Sequence, residues 1–414
     1  DRESAGEPTF AIPRNLAAGT LKQLDPNDVA KRHLEIVFYG VGTCEPMATK
    51  PVSQLQLLQQ LRAWGLPTIE NPRAARGPDE MWKAVQAVGR ERVKLGFPID
   101  GAVIKLNEVS LQDQLGVTAQ APLWAIAYKF VPDRVETQIR AITLQIGRTG
   151  VLTPVAELTP VKIGGSNIAR VSLFNRDEIT RRDIRVGDFV YIEKAGEIIP
   201  AIASVDRTKR TPEIQPFVFP MDCPVCHTAL VQALGEAAMR CPNLNCAAQV
   251  KRRIEHFASA ACVNIPGLGP ATVDKLVQQG RVKNVADLYR LRREDLLSLG
   301  GNVEKSTDRL LAAIEQSKHA ELWRFIHGLG IPQVGAVTAR GLARHFGGLA
   351  ELAAAKREDF SRGDQPLISV AGESTSCSIL AYFALAENRK TVHGLLAAGV
   401  NPVIPGESRF PVRR

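Results

Sequence analysis

Two short apolar segments in the first third of the chain predict neighbouring β-strands. They read Ile99-Asp-Gly-Ala-Val-Ile-Lys-Leu-Asn107 and Trp124-Ala-Ile-Ala-Tyr-Lys-Phe130. Both are rich in β-branched or aromatic residues, which favour a buried strand. Each contains one lysine, Lys105 or Lys129, and side chains alternate along a strand, so each lysine shares its face with small neighbours. These neighbours are Gly101 and Val103 beside the first lysine, and Ala125 and Ala127 beside the second.

A lysine inside an apolar strand has two interpretations. A single strand lysine ordinarily extends its alkyl chain to solvent, because a buried and unpaired ammonium group is costly. Two such strands close together in the chain, each with small side chains beside its lysine, favour instead a cleft that holds a flat ligand. The two ammonium groups would bind a nucleotide phosphate in this cleft.

The same kind of pattern predicts the elements around these strands. Residues 34–41 predict a further strand of the same sheet, and leucines at helical spacing predict a helix from Ser53 to Trp64. A second helix is predicted near Asp79 to Lys94, and Pro13 begins a short alanine-rich helix. Short strands separated by Gly, Asn and Asp turns span Val135 to Asp206, a spacing that suggests a small closed barrel.

Four of the seven cysteines form two close pairs, Cys223-Pro-Val-Cys226 and Cys241-Pro-Asn-Leu-Asn-Cys246. Two such knuckles suit tetrahedral zinc, and four thiolates leave no open position, so the zinc would be structural. His227 is a possible competing ligand. A disulfide framework is disfavoured because the chain shows no export signal. The other cysteines lack ligand spacing and are interpreted as buried or idle thiols: Cys44, Cys262 and Cys377.

From Lys251 onward the pattern is helical and contains a degenerate repeat. Residues 264–270 and 328–335 each place a glycine-rich turn between two helices, where the backbone can approach a ligand and the next helix presents free N–H groups to a phosphate. Two further turns, 299–305 and 370–374, have Val303 and Ser374 in place of the second glycine, so we expect them to pack helices and to bind phosphate weakly. The glycines expected to bind are Gly267, Gly269, Gly330 and Gly335.

Composition indicates a globular protein with a polyanionic partner. The chain has 414 residues, 45% of them hydrophobic, which suits two to four domains. No apolar run approaches the ~20 residues that cross a bilayer, so no membrane association is expected. The net charge of +9 suits nucleic acid. Because the sequence begins at Asp1 without a methionine, we expect that it lacks its true N-terminus.

The two lysine strands resemble the later nucleotidyltransferase motifs of bacterial NAD-dependent DNA ligases, Asp-Gly-x-Val-Ile-Lys and Trp-Ala-x-Ala-Tyr-Lys-Phe. Residues 10–19 resemble another segment of that family, and residues 146–156 and 194–200 resemble motifs of its OB-fold domain. The glycine turns resemble helix-hairpin-helix units, which grip the DNA backbone without reading sequence. The resemblance implies a multidomain α+β protein: the C-terminal part of an adenylation (nucleotidyltransferase) domain over 1–132, an OB-fold β-barrel over 133–215, a four-cysteine zinc finger over 216–250, an all-α helix-hairpin-helix domain over 251–402 and a tail over 403–414.

The resemblance also implies a function and roles for residues. It implies a monomeric, cytoplasmic and nucleoid-associated ligase of DNA replication and repair, with nicked double-stranded DNA as partner. The implied cofactors are NAD, structural Zn²⁺ and Mg²⁺ (or Mn²⁺). Lys105 and Lys129 would bind the NAD phosphates, Asp100 would position Lys105 or a metal-bound water, and Arg92 would serve the active site. The implied DNA contacts, besides the hairpin glycines, are Arg14, Lys22, Arg148 and Lys194.

Some positions depart from the family pattern. The family attaches AMP to the lysine of a Lys-x-Asp-Gly motif, whereas the Asp-Gly pair of this chain, Asp100-Gly101, is preceded by Pro98 at the lysine position. Lys22 and Leu123 stand where arginines are expected. We therefore expect that the nucleophile, the domain that recognises nicotinamide and the BRCT domain are missing, and that this chain alone is inactive. The competing hypothesis is a non-catalytic DNA-binding or repair scaffold derived from a ligase.

Overall fold

The structure is a computed structural model that describes residues 13–42, 51–118, 121–195, 199–232, 235–300, 304–362, 365–366 and 372–403. Its backbone contacts divide the chain into two compact units. The first unit comprises Asp1–Ala141, Ala156–Ser172 and Arg185–Gln215. The second unit comprises Ile142–Val155, Leu173–Ile184 and Pro216–Arg414. Helices and strands both occur, which confirms the α+β class. In the described part of the chain, no helix is both long and apolar enough to cross a membrane.

The first unit begins with short helices and a two-stranded sheet. The hydroxyl of Ser53 accepts a hydrogen bond from the backbone N–H of Gln56 and caps the helix predicted there. The helix predicted to reach Lys94 ends at Glu91 and continues as a 3₁₀ turn, Arg92–Lys94. The elements are α1 (Pro13–Thr20), α2 (Pro26–Ala30), α3 (Gln54–Ala63), α4 (Gly77–Glu91), β1 (Gly101–Lys105), α5 (Val109–Leu115) and β2 (Ala125–Lys129).

Two predictions for this region are wrong. The described residues of 34–41 contain no strand. Separate hydrogen bonds join them to later parts of the chain: the Phe38 N–H donates to the Pro67 carbonyl, and the side chains of Gln54 and Lys105 donate to the Tyr39 carbonyl. The strands β1 and β2 are also less buried than predicted, since Val103 and Ile126 are 63% and 66% exposed. The reason is that β1 and β2 pair with each other alone in the described residues, so a third strand does not flank them.

The strands predicted after residue 135 form one five-stranded sheet, in the order β5-β4-β3-β6-β7. The closed barrel that we predicted is not formed by hydrogen bonds among the described residues. The edge strands β5 and β7 contact each other, but the backbone ladder that closure requires does not join them. The elements are β3 (Arg134–Ile146), β4 (Leu152–Ile163), β5 (Ser166–Ser172), α6 (Arg176–Arg182), β6 (Phe189–Ala195) and β7 (Ile199–Asp206).

An ion pair fixes the entrance to β6 in the first unit. The side chain of Asp188 is fully buried, and both its oxygens accept hydrogen bonds from Arg210 at 2.8 Å. The same carboxylate accepts the backbone N–H of Arg185, while the Asp188 carbonyl accepts the N–H of Ile139. This charge is therefore satisfied on every side, as a buried carboxylate requires.

The second unit is mainly helical after residue 246, as predicted, and it also contains a small β-hairpin whose strands lie between the two cysteine pairs. Its core contains three fully buried phenylalanines, Phe257, Phe325 and Phe360. The hairpin strands are β8 (Val231–Gln232) and β9 (Met239–Arg240). The helices are α7 (Ala247–Ala258), α8 (Pro270–Gln278), α9 (Arg293–Leu297), α10 (Glu304–Ser317), α11 (Leu322–Gly328), α12 (Ala336–Phe346), α13 (Leu349–Ala353), α14 (Glu373–Ala384) and α15 (Ala386–Ala397), with two short strands, β10 (Ser361–Arg362) and β11 (Gln365–Pro366), before α14.

Candidate functional sites

Lys105 and Lys129 lie on one face of the β1–β2 sheet. The strands are antiparallel, with Gly101 opposite Lys129 and Lys105 opposite Ala125. Directly paired residues share a face and the pattern repeats every second residue, so both lysines project from the same side. They stand at opposite ends of the strands, about 13 Å apart for four residues of rise. A ligand that contacts both lysines therefore has to lie along this face.

The two ammonium groups have different partners. The Nζ atom of Lys129 lies 2.5 Å from Oδ2 of Asp100. Asp100 was expected to position Lys105 or a metal-bound water; the structure pairs it with Lys129, because Asp100 adjoins Gly101, the residue opposite Lys129. Lys105 donates instead to the carbonyl oxygen of Tyr39 at 3.4 Å, with the Tyr39 ring centroid 5.0 Å away. Partial burial lowers the pKa of Lys105 from its usual value.

Gly101 is required by the close approach of the two strands. A Cβ atom at this position would overlap the carbonyl oxygen of Tyr128.

Side chains on the reverse face, opposite to the lysines, surround a cavity of about 310 Å³. Arg92 lies beside this face, with its guanidinium carbon 5.9 Å from the centre of the Phe130 ring. The cavity is lined by Trp82, Val85, Gln86, Gly89, Arg90, Tyr128 and Phe130.

The basic residues expected to contact DNA have different environments in the first unit. Arg14 near the start of α1 and Lys22 just after its end are both exposed. Lys194 is not: it is only 7% exposed, and its ammonium group donates to the Gly164 carbonyl and the Ser166 hydroxyl. The expectation that Lys194 lies on the DNA is therefore corrected. Its alkyl chain lies beside Gly164, and its ammonium group is hydrogen-bonded within the protein.

The four cysteines of the two pairs meet in the second unit as predicted. Their sulfur atoms all lie within 4.8 Å of one another. The Cys223–Cys246 and Cys226–Cys241 sulfur distances are 3.9 and 3.5 Å. Sulfurs bound to one tetrahedral zinc at ~2.3 Å would be about 3.8 Å apart. These thiols therefore fit one Zn²⁺ ion, which they would hold as a closed structural site.

Burial makes two of the four zinc ligands hard to ionise without a metal. It raises the pKa of Cys241 to about 12 and also raises that of Cys246. Burial acts the same way on Cys226, but hydrogen bonds with Thr228 outweigh it and lower the pKa of this thiol to about 6. A divalent cation supplies the charge that four clustered thiolates need.

The first and third glycine turns have the geometry predicted for phosphate binding. Gly267 and Gly330 have φ angles of +90° and +69°, which glycine adopts readily. Gly269 and Gly335 are the N-cap residues of α8 and α12, and neither helix has a side-chain cap or an acidic residue in its first turn. The first N–H groups of these helices therefore remain available to an anion.

The second and fourth turns precede helices with an acidic first turn. Glu304 begins α10, and Glu373 begins α14, where a carboxylate repels a phosphate. Ser374 donates to the side-chain oxygen of Gln333 rather than to a ligand. Val303 and residues 370–371 lie outside the described residues. The prediction from sequence did not use these two carboxylates. Their positions directly after the turns would have indicated weak phosphate binding there.

Arg148 lies beside the third turn, an adjacency that the sequence does not reveal. It is exposed in the tight turn between β3 and β4, where the Gly147 N–H donates to the Val151 carbonyl. A Cβ atom placed on Gly330 would be 3.7 Å from Nε of Arg148. A guanidinium group and a turn preceding a free helix N-terminus therefore share one surface in the second unit, an arrangement suited to a phosphodiester backbone.

Family models match successive parts of this chain. The matches are the NAD-dependent DNA ligase adenylation domain over residues 1–133, the NAD-dependent DNA ligase OB-fold domain over 136–214 and the NAD-dependent DNA ligase C4 zinc finger domain over 222–248. A SAM-like helix-hairpin-helix tandem matches residues 263–316 and a helix-hairpin-helix motif matches 324–392.

Curated relatives match over almost the whole chain. A protein of Opitutus terrae named DNA ligase 1 is 58% identical over 98% of this chain and 60% of its own length. DNA ligase 2 of the same organism is 46% identical over 87% of this chain and 51% of its own length. A DNA ligase of Carboxydothermus hydrogenoformans is 43% identical over 99% of this chain and 60% of its own length. The chain thus spans about 60% of the length of two of these relatives.

Proposed function

We propose that this chain, which belongs to the NAD-dependent DNA ligase family, forms the phosphate-handling and DNA-gripping parts of an enzyme that seals nicks in duplex DNA. The observation that carries the proposal is the pair of lysines on one face of β1 and β2, inside a matched adenylation domain. Relatives named DNA ligase do not favour the scaffold hypothesis. The enzyme would work as a monomer at the nucleoid in replication and repair.

The reaction joins a 5′-phosphate to a 3′-hydroxyl in three successive steps, each of which is a substitution at phosphorus. A lysine attacks the adenylyl phosphorus of NAD and nicotinamide mononucleotide leaves. The AMP then passes from the lysine to the DNA 5′-phosphate, and the 3′-hydroxyl attacks that phosphate and expels AMP. Each transfer spreads negative charge over phosphoryl oxygens, so fixed cations stabilise the transition state. Lys105 and Lys129 would supply these cations.

The surrounding residues position the two lysines. Asp100 holds the ammonium group of Lys129 on the ligand face until a phosphate competes for it. Arg92 lies at the Phe130 end of β2 beside the reverse face, so any charge that it contributes acts from the side opposite to the lysines. Asp100 is also the carboxylate through which Mg²⁺ or Mn²⁺ would be held, by way of water, since Mg²⁺ commonly takes one or two carboxylates together with substrate phosphates. When bound, the ion would neutralise phosphate charge.

We propose that the nucleophile of the first transfer lies outside residues 1–414. Asp100-Gly101 is the one Asp-Gly pair of the chain, with Pro98 at the position of the motif lysine. Pro98 has no side-chain nucleophile that could attack phosphorus, and the ammonium group of Lys129 is paired with Asp100. We therefore propose that the 414-residue chain alone does not complete the first transfer.

DNA binding would use the second unit and exposed basic side chains of the first unit. Arg148 and the turn at Gly330 form one surface, and the turn at Gly267 forms a similar site before α8. Arg14 and Lys22 would add phosphate contacts. Backbone contacts of this kind carry little sequence information, and they release counterions from DNA, so affinity should fall steeply with salt.

The test measures fluorescence anisotropy of a labelled nicked duplex over a series of salt concentrations. The 414-residue chain should bind without sequence preference, and Arg148→Ala should lower affinity and reduce the salt slope by about one. The matched control is Arg357→Ala, an exposed arginine that pairs with Glu373 at the fourth turn and should change little. Binding that ignores salt, or an Arg148→Ala variant that binds like the unmodified chain, would refute the proposal.

A further inference from the structure

Three side chains from separate elements meet in the second unit, apart from the four-cysteine site. His256 lies on α7, Cys262 in the turn between α7 and α8, and His327 on α11. One donor atom of each lies within 4.8 Å of those of the other two. The sequence alone indicates an idle thiol at Cys262, because no ligand surrounds it along the chain. The fold brings two histidines to it instead.

The spacing suits ligands of a common metal ion. Bonds of ~2.3 Å to sulfur and ~2.05 Å to nitrogen at a tetrahedral angle place the two ligand atoms about 3.5 Å apart. The sulfur of Cys262 lies 3.8 Å from Nδ1 and 3.6 Å from Nε2 of His256. Nε2 is also 3.0 Å from the carbonyl oxygen of His327. A carbonyl only accepts, so Nε2 carries the proton and Nδ1 has the free lone pair.

A second observation points to a ligand. The Nδ1 atom of His327 is buried and has no hydrogen-bond partner among the residues that the structure describes. Its ring stands edge-on to that of His256, with the ring centres 5.0 Å apart. Buried polar atoms nearly always have a partner, so an orphan nitrogen on a residue of this cluster indicates a missing one. A metal ion bound by this nitrogen would satisfy it.

Burial and hydrogen bonds fix the position of Cys262 in the cluster. The sulfur of Cys262 is fully buried, and Arg324 donates to the carbonyl oxygens of Cys262 and Ala260 at 2.9 and 3.1 Å. The two histidines are only partly buried, which leaves an entry path for an ion. We propose that His256, Cys262 and His327 form a second metal site, selective for a borderline-soft divalent cation such as Zn²⁺, with water as its fourth ligand.

This site would connect α7 to the glycine turn that follows α11. A Cβ atom on Gly330 would lie 3.9 Å from the imidazole carbon Cδ2 of His256, so the ligand and the turn are immediate neighbours. The four-cysteine site lies at the other end of α7, which begins after Cys246. The two metals would therefore fix both ends of one helix.

Zinc content after dialysis against nanomolar buffered zinc tests the proposal. The 414-residue chain should hold two zinc ions, and Cys262→Ala should hold one. The matched control, Cys377→Ala, removes an exposed thiol on α14 and should still hold two. The four-cysteine site is common to all three proteins and cancels in the comparison. Equal zinc in the unmodified chain and Cys262→Ala, both folded by circular dichroism, would overturn the proposal in favour of a simple thiol–imidazole hydrogen bond.

His327→Phe provides a second variant, which keeps a ring in place and removes a ligand. It should lose the same single zinc, and it decides the question if Cys262→Ala does not fold. Cobalt substitution gives an independent reading, because a thiolate–cobalt charge-transfer band should weaken in both variants and not in Cys377→Ala. Unchanged cobalt spectra and zinc content in both variants would exclude the site.

Discussion

Lys105 and Lys129 project from the same face, but their surroundings predict different contributions to phosphate chemistry. Lys129 is already neutralised by Asp100 at 2.5 Å, so a phosphate has to displace that carboxylate. Lys105 contacts only a carbonyl oxygen and an aromatic ring in the described residues, and burial lowers its pKa. A phosphate would pair with the ammonium group of Lys105 without first displacing a carboxylate. Lys105 is therefore the stronger candidate for direct stabilisation of the transferred phosphoryl group.

Replacing either lysine should impair adenylation far more than folding. In a ligase that contains this chain together with a Lys-x-Asp-Gly segment, Lys105→Ala should cost about 3 kcal/mol in the adenylation rate, the scale for one preorganised charge partner. Lys129→Ala should cost less, because Asp100 already neutralises the ammonium group of Lys129. The melting temperature should change little in both. Lys162→Ala, an exposed strand lysine, is the control. Full adenylation activity in either variant would contradict the assignment.

At the scale of elements, the sequence predicted what local chemistry determines. The helix that follows Ser53, the cysteine knuckles and the glycines at Gly267 and Gly330 each need only a few adjacent residues, and the structure contains them. What failed depends on distant partners. Residues 34–41 have strand-forming side chains but no strand to pair with among the described residues. Lys194 has the same local sequence whether it faces DNA or, as observed, the Ser166 hydroxyl.

The candidate sites show the same difference between local features, which the sequence predicts, and contacts between distant residues, which it does not. The face that each lysine shares with its small neighbours could be anticipated, because side chains alternate along a strand. The pairing of Asp100 with Lys129 could not, since it depends on which strand ends meet. The contact of Arg148 with the surroundings of Gly330, and the meeting of Cys262 with two histidines, join residues far apart in the chain. No local pattern encodes such contacts.

The zinc finger should depend on its metal for structure. Its small apolar cluster includes three of the ligands themselves, Cys223, Cys241 and Cys246, so little core remains without the ion. Metal binding free energy in such a module is folding free energy. Cys226→Ala should therefore abolish zinc at this site and make residues 222–248 sensitive to protease, whereas Cys377→Ala should do neither. Metal analysis of the purified chain that gives well under one zinc ion would show this assignment to be wrong.

At the scale of the whole molecule, the two units hold different parts of the proposed reaction. The first unit carries the lysine face, and the second carries the zinc cluster, the glycine turns and Arg148. The surface formed by Arg148 and the turn at Gly330 thus lies within one unit and needs no nucleotide for its assembly. DNA binding and covalent chemistry should therefore be separable in experiments on this chain.

The 414-residue chain, incubated with NAD labelled in its adenylyl group and with Mg²⁺, should form no covalent AMP adduct. The reason is chemical: residues 1–414 contain no Lys-x-Asp-Gly motif, Lys129 is paired with Asp100, and Lys105, which lies beside Tyr39, is proposed as a phosphate ligand. The same preparation should bind nicked duplex at low salt, which shows that the protein is folded and that the missing adduct reflects a missing nucleophile. Denaturing electrophoresis and peptide mass spectrometry measure the adduct. A stable adenylated lysine anywhere in residues 1–414 would overturn both the proposed role of Lys105 and the inference that the nucleophile lies outside this sequence.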